Sequence, residues 1–476
     1  MFSARRRDRE MEDFPKETTQ ETDEKSKEHT FRDPIHGFIR VSTAERKIID
    51  HPVFQRLRRI KQLGLGYYVF HGAEHTRFGH SLGAMEVATR AFDRICEKNK
   101  NFGWKEEEKR HFRQLLRLAA LLHDIGHPPF SHAAEDLLPP VKYLGGGLKS
   151  QENRPATHED YTAALILASD LKVLIEEHFG ADGITAERVC KLIEKHPQVP
   201  AEFQREGFID PSPLLVQLIS GEIDADRMDY LLRDAYFCGV AYGAFDIDRV
   251  LDCLTAYVSE DRAELAVEED GLFAVEGLLL ARYYMYLQVY FHPVRRAYDY
   301  ILSEYLRTTL PGGTWPADLG KFLEEFDAKI ESRISEDRLT NRWAERLFSR
   351  RHLKLIKQTS IDAKKEQVEL FRVLGNLLKE KGVREVYLDE GKENYLTKLK
   401  PARYMKPEEK TEGSWIHVLG RDRSKKPDLL QERSLVIQRL DYEVRMCRLY
   451  CHEEDVKKAK EILEGFLNGW QKGGRI

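Results

Sequence analysis

The apolar run Leu115-Leu116-Arg117-Leu118-Ala119-Ala120-Leu121-Leu122 ends on His123-Asp124-Ile125-Gly126-His127-Pro128-Pro129-Phe130-Ser131-His132, and this junction constrains the chain more than any other stretch. Apolar residues at that density read as a helix buried around most of its circumference, which Gly126, Pro128 and Pro129 bring to a stop. Such a helix belongs at the centre of a helical core, with an imidazole and a carboxylate at its mouth. Burying both is costly unless something pairs with them, and a divalent cation is the cheapest common partner. An isolated His-Asp pair is more often a helix cap with a solvated acid; here His123 and Asp124 are expected as metal ligands because of the company they keep.

Composition narrows the function classes. Lys and Arg number 76 against 80 Asp and Glu, a formal charge of −4, so no overall field draws the chain to nucleic acid or an anionic membrane. The six cysteines form no C-x-x-C pair and read as free thiols of a reducing compartment, so a cytoplasmic location is expected. No apolar run approaches the roughly 18 residues of a membrane helix. Residues 1–29 are almost all charged or polar and are expected as a disordered tail; their dense acids contradict a transit peptide.

Periodicity predicts helices over 44–50, 54–60, 81–95, 106–123, 157–168, 170–179, 185–195, 213–220 and 224–234. Gly64, Gly66 and Gly72 mark an irregular, extended connection. Residues 255–275 read as a hairpin turning at Glu269-Asp270-Gly271, and Val275 to Leu310 as one long helix ended by Pro311-Gly312-Gly313. Helices to about 383, short strands at 386–388, 414–419, 434–440 and 442–449, and a helix over 453–469 complete the chain. The glycine-rich 144–150 stretch lacks the strand and the Gly-Lys-Ser ending of a phosphate loop, and reads as a surface loop. The expected class is mainly α: a tail at 1–29, a helical core with a small β-hairpin at 30–310, and a C-terminal helical and α+β lobe at 311–476.

Two further stretches, His75-Thr76-Arg77-Phe78-Gly79-His80 and Glu222-Ile223-Asp224-Ala225-Asp226-Arg227-Met228-Asp229-Tyr230, add a His and a distant Asp on other helices. That set resembles the HD-domain metallophosphohydrolases. The likeness runs on through Asp33-Pro34-Ile35-His36-Gly37, Gln55-Arg56-Leu57-Arg58, Lys61-Gln62-Leu63-Gly64, Tyr67-Tyr68-Val69-Phe70, Arg77 to Gly83, His123 to His132 and Arg295-Arg296-Ala297-Tyr298. In that order the blocks are similar to the deoxynucleoside triphosphate triphosphohydrolases of the superfamily.

The resemblance implies an HD-domain core and hydrolysis of dNTPs to deoxynucleoside and inorganic triphosphate. His80, His123, Asp124 and Asp226 would hold a divalent ion, and two imidazoles with two carboxylates suit Mn, Mg, Fe, Ni or Zn alike. His127, His132 and His158 would stand beside the phosphates, His132 protonating the departing 5′ oxygen with Glu135 one helical turn along as its acidic partner. Glu135 stands where the human family member has aspartate. Arg77 and Arg227 would meet phosphate oxygens, Tyr230 would line the phosphate side, Gln62 and Asp234 would hold the 3′ hydroxyl, and Leu63 with Tyr298 would crowd the 2′ position. Core packing is the ordinary role of Leu63, Tyr230 and Tyr298 outside such a motif.

Asp50, Gln55, Arg58 and Arg249 match residues that read a guanine nucleotide activator, dGTP or GTP, at a subunit interface, which implies a homo-oligomer, a tetramer. Other readings of the same residues are an HD-type nucleotidase or phosphodiesterase on other nucleotides or nucleic acid ends, and a non-catalytic nucleotide-sensing scaffold.

Overall fold

The computed structural model describes residues 28–144, 153–197, 199–391, 416–422, 425–440 and 445–472. Residues 145–150 of the glycine-rich loop, a stretch at 398–410 that carries five Lys and Arg, and all but the last two residues of the expected tail lie outside them. The described chain opens with an antiparallel ribbon, β1 (Glu28–Asp33) and β2 (Gly37–Ser42), and enters α1 (Thr43–Asp50) through a capping box in which Ser42 and Glu45 satisfy each other's backbone amides.

Three helices make the centre: α2 (Arg77–Lys98), α3 (Glu106–Leu122) and α4 (Ala225–Cys238), with α2 packed against both others. Leu115, Leu116 and Leu118 to Leu122 are all buried, as their density demands. Arg117 is buried among them, and its guanidinium is consumed by Glu45 (Nε to Oε1 2.6 Å, Nη2 to Oε2 2.9 Å), Thr89 Oγ1 and the Arg40 carbonyl. The one charge in the apolar run therefore keys α3 to α1.

Several local expectations are corrected. The 64–72 connection contains a 3-10 turn, Gly64–Tyr68, rather than extended chain, and the 54–60 helix divides into Pro52–Gln55 and the 3-10 turn Arg56–Arg59. The hairpin, β3 (Leu254–Ser259) and β4 (Arg262–Glu268), turns at Glu260 and Asp261, both left-handed (φ 50 and 61), as a two-residue turn matched to strand twist requires. Glu269–Gly271 instead leads into α5 (Leu272–Met285). The single long helix breaks after a π turn at Tyr286–Tyr290, because Pro293 has no N–H to continue the ladder; it occupies the first turn of α6 (Pro293–Thr309), capped by His292.

Beyond α6, residues Trp315, Phe322, Ile330, Trp343 and Leu347 share the main core, Ile330 from α7 (Asp327–Asp337). A second, smaller core follows. The strand β5 (Lys354–Gln358), which periodicity did not suggest, pairs with β9 (Cys447–Cys451), which also pairs with β6 (Tyr387–Glu390); α8 (Lys365–Glu380) and α9 (Val456–Lys472) cover them with Phe371, Leu374 and Leu463. β7 (His417–Leu419) runs parallel to β4, and β8 (Asp428–Leu429) pairs with it. The strand expected over 434–440 is the helix Leu435–Leu440, whose Ile437 amide is capped by Ser434 Oγ. The six cysteines are free thiols, and among the described residues no helix is long and apolar enough to cross a membrane.

Burial pushes the Glu45 carboxyl up, but Arg117, Gln114 and the Ser42 amide outweigh it and hold it below its ordinary 4.5. Because the folded value is the depressed one, the pair's contribution is intact above pH 4.5 and fades as pH falls below it. Glu45→Ala is expected to remove about 3–5 kcal/mol of unfolding free energy at neutral pH, read by denaturant titration, with the gap to wild type closing in acid.

Candidate metal centre and cleft

α2 brings His80, the end of α3 brings His123 and Asp124, and the first turn of α4 brings Asp226 to one place. His80 Nε2 lies 2.9 Å from Asp226 Oδ1 and 3.5 Å from Asp124 Oδ2; His123 Nε2 lies 3.3 Å from Asp124 Oδ1 and 3.6 Å from Asp226 Oδ1. Each ring spends its other nitrogen elsewhere: His80 Nδ1 donates to Asp229 Oδ2 at 2.8 Å and His123 Nδ1 to the Ala120 carbonyl at 2.8 Å. Both Nε2 atoms are buried without a hydrogen bond. His80, His123 and Asp124 offer donor atoms within 4.8 Å of one another, and with Asp226 facing both rings and each ring oriented from behind they fit a divalent ion. Asp226 keeps 37% of its side chain exposed, so that side remains open.

Electrostatics tie the four groups together. Burial lowers the His80 imidazole, but the facing carboxylates of Asp226 and Asp229 reverse this and raise it to about 10. His123 is raised in the same way by Asp124 and Asp226. Asp124 is held well below its usual range against burial by Arg77 and the nearby histidines, and Asp226 by His123 and His80. The same carboxylates favour any positive charge placed between them, so a bound cation competes with protons for the two rings.

A second group sits alongside. Glu135 accepts from His132 Nδ1 at 2.6 Å and from His158 Nδ1 and the His158 amide at 2.6 and 3.0 Å, so glutamate's longer reach closes on both rings. His127 stacks on His158 with ring centres 3.8 Å apart and planes 14° from parallel. Rings stacked face to face cannot aim their lone pairs at one ion, so this trio is poorly shaped for a metal and well shaped to donate to an anion. Against burial, Glu135 raises His158, while burial, Arg77 and His158 push His127 well below its usual value. The two stacked rings are thus pushed apart, His158 toward its protonated form and His127 toward its neutral one.

A cleft of about 700 Å³ opens onto both groups, and Gln62, Leu63, Arg77, His132, Glu135, Asp226, Arg227, Tyr230 and Asp234 line it. Gln62 Oε1 is buried and unpaired, while Asp234 accepts from His75 Nε2 and from the Tyr290 hydroxyl, both at 2.7 Å. Arg77 is bound to Asp124 and to Ser131 Oγ, and Arg227 to the Gly221 carbonyl and Asp224. Tyr298 is not in the lining: it is buried, its hydroxyl donates to the Arg350 carbonyl, and its ring packs on Tyr68.

Asp50, Gln55 and Arg58 share one surface, where Arg58 Nε donates to Gln55 Oε1 at 2.9 Å and lies over the Phe78 ring, and Asp50 pairs with Arg46. Arg249 is placed at the hairpin end, on the Asp270 carbonyl.

Sequence reasoning missed the support behind His80. Asp229, wholly buried, also accepts from His36 Nε2 at 2.6 Å and pairs with Arg233, which reaches Asp33 at 2.9 Å. Its position one turn after Asp226, and the Asp33 to Gly37 block, were the available signals.

Comparison with known proteins follows the same residues. Residues 77–234 match the family model described as HD domain, and residues 245–376 the one described as HD associated region. The uncharacterized protein YwfO of Bacillus subtilis is 40% identical over 282 residues, 59% of this chain and 56% of its own. The deoxynucleoside triphosphate triphosphohydrolase SAMHD1 of Homo sapiens is 28% identical over 302 residues, 59% of this chain and 46% of its own. The chain thus spans about half the length of these curated relatives. The crystal structure of a hypothetical protein from Aquifex aeolicus, 34% identical, superposes with a TM-score of 0.70 over 92% of this chain and 100% of that one.

Asp229→Asn, which weakens the acceptor behind His80, is expected to lower Mn²⁺ affinity by about 10- to 100-fold, measured by calorimetric titration of the folded variant.

Proposed function

This chain belongs to the HD-domain family, and on that premise we propose that it hydrolyses dNTPs to deoxynucleoside and inorganic triphosphate. The observation that carries the reading is the pair of buried imidazole nitrogens of His80 and His123 facing Asp124 and Asp226, the last of which lines a cleft together with Arg77, Arg227 and His132. A divalent ion held there, Mn, Mg, Fe, Ni or Zn, would supply Lewis acidity and neutralise phosphate charge.

The chain's own groups do the rest. Asp229 and the Ala120 carbonyl fix which nitrogens of His80 and His123 face the ion. His158, whose protonated form Glu135 favours, donates to phosphate oxygens beside His127, joined by Arg77 and Arg227. His132, backed by Glu135, delivers a proton to the departing 5′ oxygen, a step worth about 10²–10⁴-fold when the acid is well placed. The unpaired Gln62 Oε1 accepts the 3′ hydroxyl, and Asp234, held by His75 and Tyr290, takes its other side. With Tyr298 turned into the core, the wall against a 2′ hydroxyl falls to Leu63. Asp50, Gln55 and Arg58, gathered on one surface, with Arg249 would receive dGTP or GTP between subunits of a homotetramer in the cytoplasm.

Incubation with each dNTP and Mn²⁺, with and without dGTP or GTP, is expected to release tripolyphosphate and deoxynucleoside from a protein that light scattering shows as a tetramer; orthophosphate or pyrophosphate as product places the cleavage elsewhere. Leu63→Gly is expected to admit ribonucleoside triphosphates, lowering discrimination against them by about 10- to 100-fold as the ratio of kcat/KM values.

A further inference from the structure

Phe130 and Ser131, the two residues before His132, both have left-handed backbones (φ 61 and 56). Side chains other than glycine adopt that conformation at a cost, and two in succession persist only where the surroundings over-determine them. Phe130 is also wholly buried, so its side chain cannot relax outward.

What determines this bend comes from far down the chain. Asp327, the first residue of α7, is buried, and each of its carboxylate oxygens accepts one backbone amide: Oδ1 from Phe130 and Oδ2 from Lys61, both at 2.9 Å. Ser131 Oγ then donates to the Lys61 carbonyl at 2.7 Å, closing the same bridge from the other side. Arg56 adds a parallel tie, donating to the His127 carbonyl at 2.8 Å and to the Glu325 carbonyl at 3.1 Å. Lys61 immediately precedes Gln62 and Leu63, and Phe130 lies two residues before His132, so one carboxylate spans the two cleft walls.

We infer that Asp327 is a positioning residue: by binding the Phe130 and Lys61 amides together it sets the distance between the His132 imidazole and the sugar-facing pair Gln62 and Leu63. This rests on the hydrolase reading for its catalytic consequence, but the clamp itself is a property of the fold. Asp327 touches none of the four residues assigned to the ion. Its loss therefore leaves the ion in place and displaces the acid that serves the leaving group.

Asp327→Asn, nearly isosteric, and Asp327→Ala test this. Amide hydrogen exchange over residues 125–135 should accelerate in both variants while exchange within 106–122 keeps its wild-type rate, and bound Mn²⁺ should stay at the wild-type stoichiometry. On dNTPs kcat should fall by about 100-fold with KM unchanged, the cost of a misplaced group. On bis(p-nitrophenyl) phosphate, whose leaving group needs no proton, the loss should be far smaller. Unchanged exchange over 125–135 in D327N overturns the clamp, and an equal loss on both substrates, or loss of the metal, overturns the positioning role. Wild-type protein that leaves dNTPs intact removes the hydrolase reading instead, and the exchange result then still decides the clamp. If D327A unfolds, D327N carries each comparison.

Discussion

Charged groups buried at the mouth of an apolar helix must be paired, and the centre of this molecule is arranged around that requirement. Asp124 sits at the end of α3 with Arg77 on one side and three imidazoles around it, while Asp229 holds His80, His36 and Arg233. A carboxylate taken from water with one partner is expensive; with several it becomes a fixed point. The convergence of α2, α3 and α4 follows, since each helix must bring its share of those partners to one spot.

The cleft divides into regions of opposite electrical character. At its floor, carboxylates prevail and draw positive charge; beside them, His127, His132 and His158 with Arg77 present donors to negative charge. Glu135 belongs to the second region, where its negative charge is balanced by His132 and His158. A polyanion that carries its own cation suits that layout better than either charge alone.

Much of this was legible in the residues, for identifiable reasons. The helix pattern of 106–122 rests on local rules, whereas the set His80, His123, Asp124 and Asp226 came from family resemblance, and the structure brings those four side chains close together. The interruption of the long helix was not read although Pro293 marks it, because the apolar pattern continues through the break. The position of the hairpin turn was not, because Glu260 and Asp261 take left-handed backbones without a glycine to announce them. Tyr298 shows a different limit. Motif likeness brings a residue to the right helix, yet one helical step decides whether it faces the cleft or the core, and here Asp299 lines the cleft while Tyr298 does not. For Asp229 the sequence offered only its place one turn after Asp226; that it supports His80 is seen once α2 and α4 are in contact.

The mixed sheet has a consequence for how the chain is made. β4 belongs to a hairpin closed by a two-residue turn, but its other edge is covered by β7, whose His417 meets Glu264 across 153 residues of sequence. Contacts so distant come late, because the intervening loop must be closed before they repay its entropy. While the ribosome is still delivering that span, the nascent protein carries an unprotected strand edge, the surface on which neighbouring chains add in aggregation.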